Sequence, residues 1–123
     1  MSNLTDAFQS ADNTRLAALL DEHVVLNSPI RESGFTGRQA VLHILSQARE
    51  FIDGFHCALE LRQDQTAMIR VLGTVNGKEV DAIYHLRLTP SDTIQQMWVY
   101  LRPLPGLQAF ANEMGKRLGM ITS

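Results

Sequence analysis

A single cysteine, Cys57, stands in the 123 residues, which excludes an internal disulfide and any zinc site built on several thiolates. It falls in an alternating apolar run, so a buried, inert thiol is expected rather than a reactive one. No uncharged apolar run approaches bilayer-spanning length. The opening "MSNLTDAFQS" has no basic segment leading into an apolar one, as a secretory signal would, and a cytoplasmic protein is expected. Charge of one sign is also scarce. Against 13 Asp and Glu stand 11 Lys and Arg, a formal net charge of -2, which gives no electrostatic reason to expect nucleic acid or a membrane as partner. The four histidines, His23, His43, His56 and His85, form no H-x-H, H-x-x-H or H-E-x-x-H spacing. No metal site is expected, and no cofactor.

What is present suits one soluble globular domain over residues 1–123: 45% hydrophobic and 20% charged residues, with no linker, repeat or low-complexity stretch. Leu4, Ala7, Phe8 and Ala11 recur at helical spacing, and Asp12 offers an N-cap to a second short helix carrying Leu16, Leu19 and Leu20. The run "EHVVLNSPI" reads as a strand. Thr36 and Gln39 then make a T-x-x-Q capping box ahead of a third helix with the stripe Val41, Ile44, Leu45, Ala48 and Ile52, ended by Asp53-Gly54.

From Phe55 the period changes to two, with Cys57, Leu59 and Leu61 alternating against His56, Glu60 and Arg62. The pair Asn76-Gly77 favours a type I′ turn and fixes a hairpin register. If Val75 pairs with Lys78, one face carries Ala67, Ile69, Val71, Val80, Ala82, Tyr84 and Leu86. The other face, with Met68, Arg70, Leu72, Asp81, Ile83 and His85, is mixed. "TPSD" turns the chain into "TIQQMWVYL", and Pro103 and Pro105 open a last helix striped by Leu107, Phe110, Ala111, Met114 and Leu118 and stopped by Gly119.

The order helix, helix, strand, helix and long meander resembles the nuclear transport factor 2-like (cystatin-like) fold. That α+β cone has three N-terminal helices, a curved, mostly antiparallel sheet and a C-terminal helix. "VVLNSPI" followed by "FTGRQAVLHIL" is similar to the family's strand, Pro turn and Gly-led third helix, and "VDAIYHLRLTPSDTIQQMWVYLRPL" to its last hairpin. In style the chain resembles the SnoaL-like proteins, with ketosteroid isomerases and polyketide cyclases more distant. Carried over from the isomerases, the general-base carboxylate would fall on Ser28, the phenol donor near Leu4 and the oxyanion-hole acid on Tyr84. A serine hydroxyl is too weak a base for that reaction. Asp81 lies in a suitable strand at the wrong parity to face inward, so no acid of the sheet is expected inside the cone.

The periodicity assigns an inner set of Val24, Leu26, Ser28, Cys57, Leu59, Leu61, Ile69, Val71, Ala82 and Tyr84, with Phe8 and Phe110 from the helices. On the last strand either the Met97 and Val99 phase or the Trp98 and Tyr100 phase faces inward, and the more apolar Met97 phase is preferred. Met68, Arg70, Leu72, Ile83, His85, Trp98 and Tyr100 are then expected at a homodimer interface. Three functions follow as expectations. The first is a homodimeric domain binding a small hydrophobic ligand in an apolar pocket. The second is an isomerase or cyclase acting on a hydrophobic carbonyl compound, with Tyr84 as oxyanion donor and the weak candidate for a catalytic residue. The third is a non-catalytic assembly module whose cone is filled by its own side chains. Ser28 is the expected hydrogen-bond partner of Tyr84.

Overall fold

The computed structural model describes residues 3–119. Two short helices, α1 (Asn3–Gln9) and α2 (Asn13–Leu19), lead into β1 (Leu20–Asn27) and the two-residue β2 (Phe35–Thr36). Helix α3 (Arg38–Phe51) follows, then the meander β3 (Asp53–Gln63), β4 (Thr66–Val75), β5 (Lys78–Leu88) and β6 (Ile94–Arg102), and finally α4 (Leu104–Leu118). The six strands form one curved sheet in the order β2-β1-β6-β5-β4-β3. All neighbours are antiparallel except β1 and β6. No described helix is long and apolar enough to cross a membrane.

Local chemistry sets the boundaries. The Asp12 carboxylate caps α2, accepting from the Thr14 and Arg15 amides at 3.0 and 3.3 Å. Helix α2 stops one residue short of the expected stripe, so Leu20 opens β1 instead, fully buried. The T-x-x-Q capping box does not form. Thr36 is held in β2 opposite Val25, and the cap falls to Gly37, whose φ of 102° is open to glycine at no steric cost. At the other end of the chain, Gly119 closes α4 in the left-handed region.

The β4/β5 hairpin has the register that Asn76-Gly77 dictates: Val75 faces Lys78, Val71 faces Ala82 and Ile69 faces Tyr84. Both turn residues have positive φ, 49° and 80°. On β6 Met97 is fully buried, and Trp98 lies on the opposite face beside His85, its cross-strand partner.

Strand β3 departs from simple alternation. Cys57 pairs with Val71, but the next pairs are Leu59 with Arg70 and Glu60 with Ile69. Ala58 is therefore the extra residue of a β-bulge, and everything after it changes face. Leu59 and Leu61, expected inside, are 47% and 58% exposed on the outer face. Glu60 takes the inward phase instead.

Helices α3 and α4 cover the inner face through Val41, Ile44, Leu45, Ala48, Phe51, Phe110 and Met114, all buried, with Phe51 and Phe110 rings 5.3 Å apart. Helix α4 starts against bare backbone: a Cβ on Gly106 would lie 2.0 Å from the Glu79 carbonyl oxygen. Helix α1 is tied to edge strand β3 by Gln9, which donates to the Phe55 carbonyl at 2.9 Å and accepts from the Cys57 amide at 2.7 Å. The Arg49 guanidinium in turn donates to the Gln9 carbonyl at 3.1 and 2.9 Å.

Candidate functional site

Between the sheet and helices α3 and α4 lies a small cavity of about 20 Å³, room for about one water. Of the expected inner set, Leu26, Ser28, Tyr84, Val99 and Phe110 line it. Pro29, Ile30 and Phe35 from the β1–β2 connection, Ile44, Leu45 and Ala48 from α3 and Met114 from α4 complete the wall. Phe8, Val24, Cys57, Ile69, Val71, Ala82 and Met97 are buried in the surrounding core and do not line the cavity, while Leu59 faces outward.

Tyr84 is the principal polar feature. It is 4% exposed, and Phe8 of α1 packs edge-on against its ring at 5.4 Å. Burial raises its pKa well above the usual phenol range, so the hydroxyl is a donor at any ordinary pH. No hydrogen bond joins it to another described group, and because no buried side-chain oxygen or nitrogen is without a partner, the hydroxyl is accessible, on a residue that lines the cavity. The expected bond from Ser28 is not made. After the strand ends, Ser28 turns its hydroxyl back along the chain and accepts from the Ile30 amide at 3.4 Å, an ST-type turn that suits the Ser-Pro step.

Glu60 is the residue that sequence reasoning missed. The Ala58 bulge turns its carboxylate toward α1, where it accepts a hydrogen bond from the buried Thr5 hydroxyl. It does not line the cavity. Neither Gly nor Pro marks the bulge in the sequence, and Leu59 and Leu61 gave a plausible inward phase. Cys57, two pairs away, is fully buried, and burial pushes its thiol up to about 11.

The outer face of the meander gathers Leu59, Leu61, Met68, Leu72, Ile83, Trp98 and Tyr100, with Met68 and Tyr100 40% and 58% exposed. His85 stacks on Trp98 at 4.8 Å between centroids. Among these apolar groups the Arg70 guanidinium donates to both Asp81 oxygens at 3.0 and 2.8 Å, and Arg102 approaches the same carboxylate at 3.6 Å. Arg70, first through its hydrogen bonds, holds the Asp81 carboxyl below the usual range. His23, His43 and His56 are exposed. No group of three or more His, Cys, Asp or Glu able to hold a metal occurs among the described residues.

No family model and no curated protein matches the chain. Solved structures do. An uncharacterised protein with a cystatin-like fold from Silicibacter pomeroyi superposes with a TM-score of 0.90 at 20% identity, over 95% of this chain and 83% of its own. A steroid delta-isomerase from Pseudomonas aeruginosa gives 0.86 at 24% identity, over 97% and 93%. A protein with a ketosteroid isomerase-like fold from Catenulispora acidiphila, in complex with trimethylamine, gives 0.64 at 17%, over 89% of each chain. At such identities the likeness is one of architecture, and this chain has the cystatin-like fold of the nuclear transport factor 2-like proteins.

Proposed function

We propose that this chain is a homodimeric, non-catalytic binding domain whose cone takes a small, mostly apolar molecule bearing a hydrogen-bond acceptor. One observation carries the reading: a buried phenol, Tyr84, abuts an internal cavity with its hydroxyl bonded to no described group. Among the described residues no buried side-chain oxygen or nitrogen lacks a partner, so the hydroxyl is open to the cavity, and an acceptor brought there, whether water or a carbonyl oxygen, gains about 0.5–1.5 kcal/mol from the bond. The remaining wall is apolar apart from Ser28.

An isomerase or cyclase would find an oxyanion donor in Tyr84 but no base, because the cavity is lined by neither carboxylate nor histidine. The chain is therefore expected not to isomerise 3-oxo steroids, and a Δ5-3-ketosteroid assay should read no turnover above the solution background. Dimerisation is supported by the apolar groups on the outer face, since such clusters on otherwise polar strands mark interfaces.

The cavity's size favours a second reading, an assembly module with a filled cone: about 20 Å³ is far below the roughly 300–1,000 Å³ of ordinary ligand sites. Thermal melting with cyclohexanone, and with cyclohexane as the control without an acceptor, separates the two. Stabilisation by the ketone that exceeds the hydrocarbon's and is lost in Tyr84→Phe supports binding. No shift from either compound supports the filled cone.

A further inference from the structure

We infer that Asn76 is a modification site: its side-chain amide is lost by spontaneous deamidation through the Gly77 nitrogen, and Glu113 of α4 restrains that step, so the chemistry of the turn and the seating of the last helix are coupled. This inference is independent of the reading of the cone as a ligand site.

Asn76 and Gly77 are both exposed, and a Cβ placed on Gly77 would meet nothing within 4 Å, so water reaches the turn freely. Gly77 also carries no side chain to hinder its backbone nitrogen as a nucleophile. In the step itself that nitrogen gives its proton to solvent base and forms a bond to Asn76 Cγ. The Cγ–Nδ2 bond breaks, and the amide nitrogen takes a proton from water and leaves as ammonia, so the base is regenerated and a succinimide ring remains. Water then opens the ring. Cleavage between nitrogen and Cγ gives aspartate, and cleavage between nitrogen and the former backbone carbonyl carbon gives isoaspartate, whose main chain runs through Cγ. Nothing is oxidised or reduced.

Glu113 holds Asn76 through a clasp on α4. Its carboxylate accepts from Arg117 Nε at 3.0 Å and from the Asn76 amide, and the two, Arg117 foremost, hold the carboxyl below its usual range. Arg117 continues to α3, donating to Gln47 Oε1 at 3.1 Å and meeting Glu50 at 3.2 Å, above the Phe51 ring. One series of polar contacts thus joins the turn, α4 and α3. In the closed turn Asn76 has φ 49° and its amide is engaged. Attack on Cγ needs the side chain and backbone of Asn76 to rotate, so it proceeds from the opened turn.

Deamidation turns this contact from attraction to repulsion. A donating amide becomes a carboxylate facing the Glu113 carboxylate, two like charges. Isoaspartate instead adds a methylene to the main chain of the tight turn that sets Val75 opposite Lys78. Either product loosens α4, which brings Phe110 and Met114 to the cavity wall. Asn27, which precedes Ser28, is the internal comparison: no glycine follows it, and its amide is partly buried and donates to the Met97 carbonyl at 3.2 Å.

The test incubates the purified protein at mildly alkaline pH and follows each asparagine by peptide mass spectrometry, with isoaspartate read by enzymatic methylation. Modification is expected at Asn76 and not at Asn27. It should be about 2- to 12-fold faster in Glu113→Ala, the worth of one hydrogen bond, and faster again in urea. Thermal melting of Asn76→Asp reads the consequence, because aspartate also tolerates the left-handed turn. The variant should melt below the parent protein, and the loss should shrink when Glu113→Gln removes the facing charge.

An Asn76 that stays unmodified in Glu113→Ala overturns the site. Equal rates with and without Glu113→Ala, or an equal rise at Asn27, which marks global unfolding, overturn the restraint by Glu113. A melting loss in Asn76→Asp that is the same with and without Glu113→Gln overturns the coupling to α4.

Discussion

The edge of the Phe8 ring meets Tyr84 at 5.4 Å between centroids with 67° between their planes, so helix α1 determines where the buried phenol rests. The helix is itself anchored through Gln9 on β3 and Arg49 on α3. Removing the Phe8 ring in Phe8→Ala leaves a cavity under α1 and should cost about 3–5 kcal/mol. Tyr84→Phe keeps the volume and should cost less than about 1.5 kcal/mol. Urea denaturation of the two variants measures both, and equal losses would contradict the packing described.

The bulge at Ala58 makes a distinct statement about β3. Because Leu59 and Leu61 face outward, 47% and 58% exposed, lysine at either position should change the stability of the isolated chain by no more than about 0.5 kcal/mol. Ile69→Ala, at a site fully buried on the neighbouring strand, should cost about 2–5 kcal/mol. Denaturation at a protein concentration low enough to keep the chain monomeric reads the contrast. A loss of several kcal/mol in Leu59→Lys would return that residue to the core.

Alkaline pH probes Cys57. Its thiol is raised from 9.0 to about 11 by burial, so the folded state holds this proton more tightly than the unfolded chain. The associated stability is full below about 9 and is lost as the pH rises toward 11. Tyr84, raised in the same direction, adds its own loss above the pH at which a free phenol ionises, about 10. Stability should therefore begin to fall near pH 9, and in Cys57→Ala the fall should start about one pH unit later. Thermal melting from pH 8 to 10.5 tests this. Identical profiles for the two proteins would place the thiol in water.

The outer face predicts an assembly. Sedimentation at micromolar concentration should give twice the chain mass, and Trp98→Asp should give the monomer, because the change removes the largest apolar ring of the row Leu61, Met68, His85 and Trp98 and puts a charge that must be desolvated in its place. A dimer unaffected by this change would move the interface to another surface.

Much of this architecture is legible in the sequence because a few residues are decisive. Asn76-Gly77 admits one tight turn, and that turn sets ten consecutive pairs between β4 and β5. The apolar content of the Met97 phase orients β6, for which the "TPSD" turn gave no direction. What escaped has physical reasons. The bulge at Ala58 leaves no compositional trace, since two leucines at a spacing of two fit an outer face as well as a core. The Thr36 cap lost to strand pairing with β1, a tertiary contact 11 residues away in the chain. The cavity volume depends on how Phe110 and Met114 of α4 meet Ile44 and Leu45 of α3, which no local pattern encodes.

The central claim is that the hydroxyl of the buried Tyr84 side chain opens onto the cavity and is held for an acceptor that the protein itself does not supply. A high-resolution crystal structure of the protein as purified tests it most directly, through the density beside that oxygen. The account predicts a water or the acceptor atom of a bound molecule about 2.5–3.0 Å from the hydroxyl, inside the space bounded by Ser28, Val99 and Phe110. A Tyr84 hydroxyl bonded to a backbone or side-chain group, with the cavity closed around it, would contradict the account.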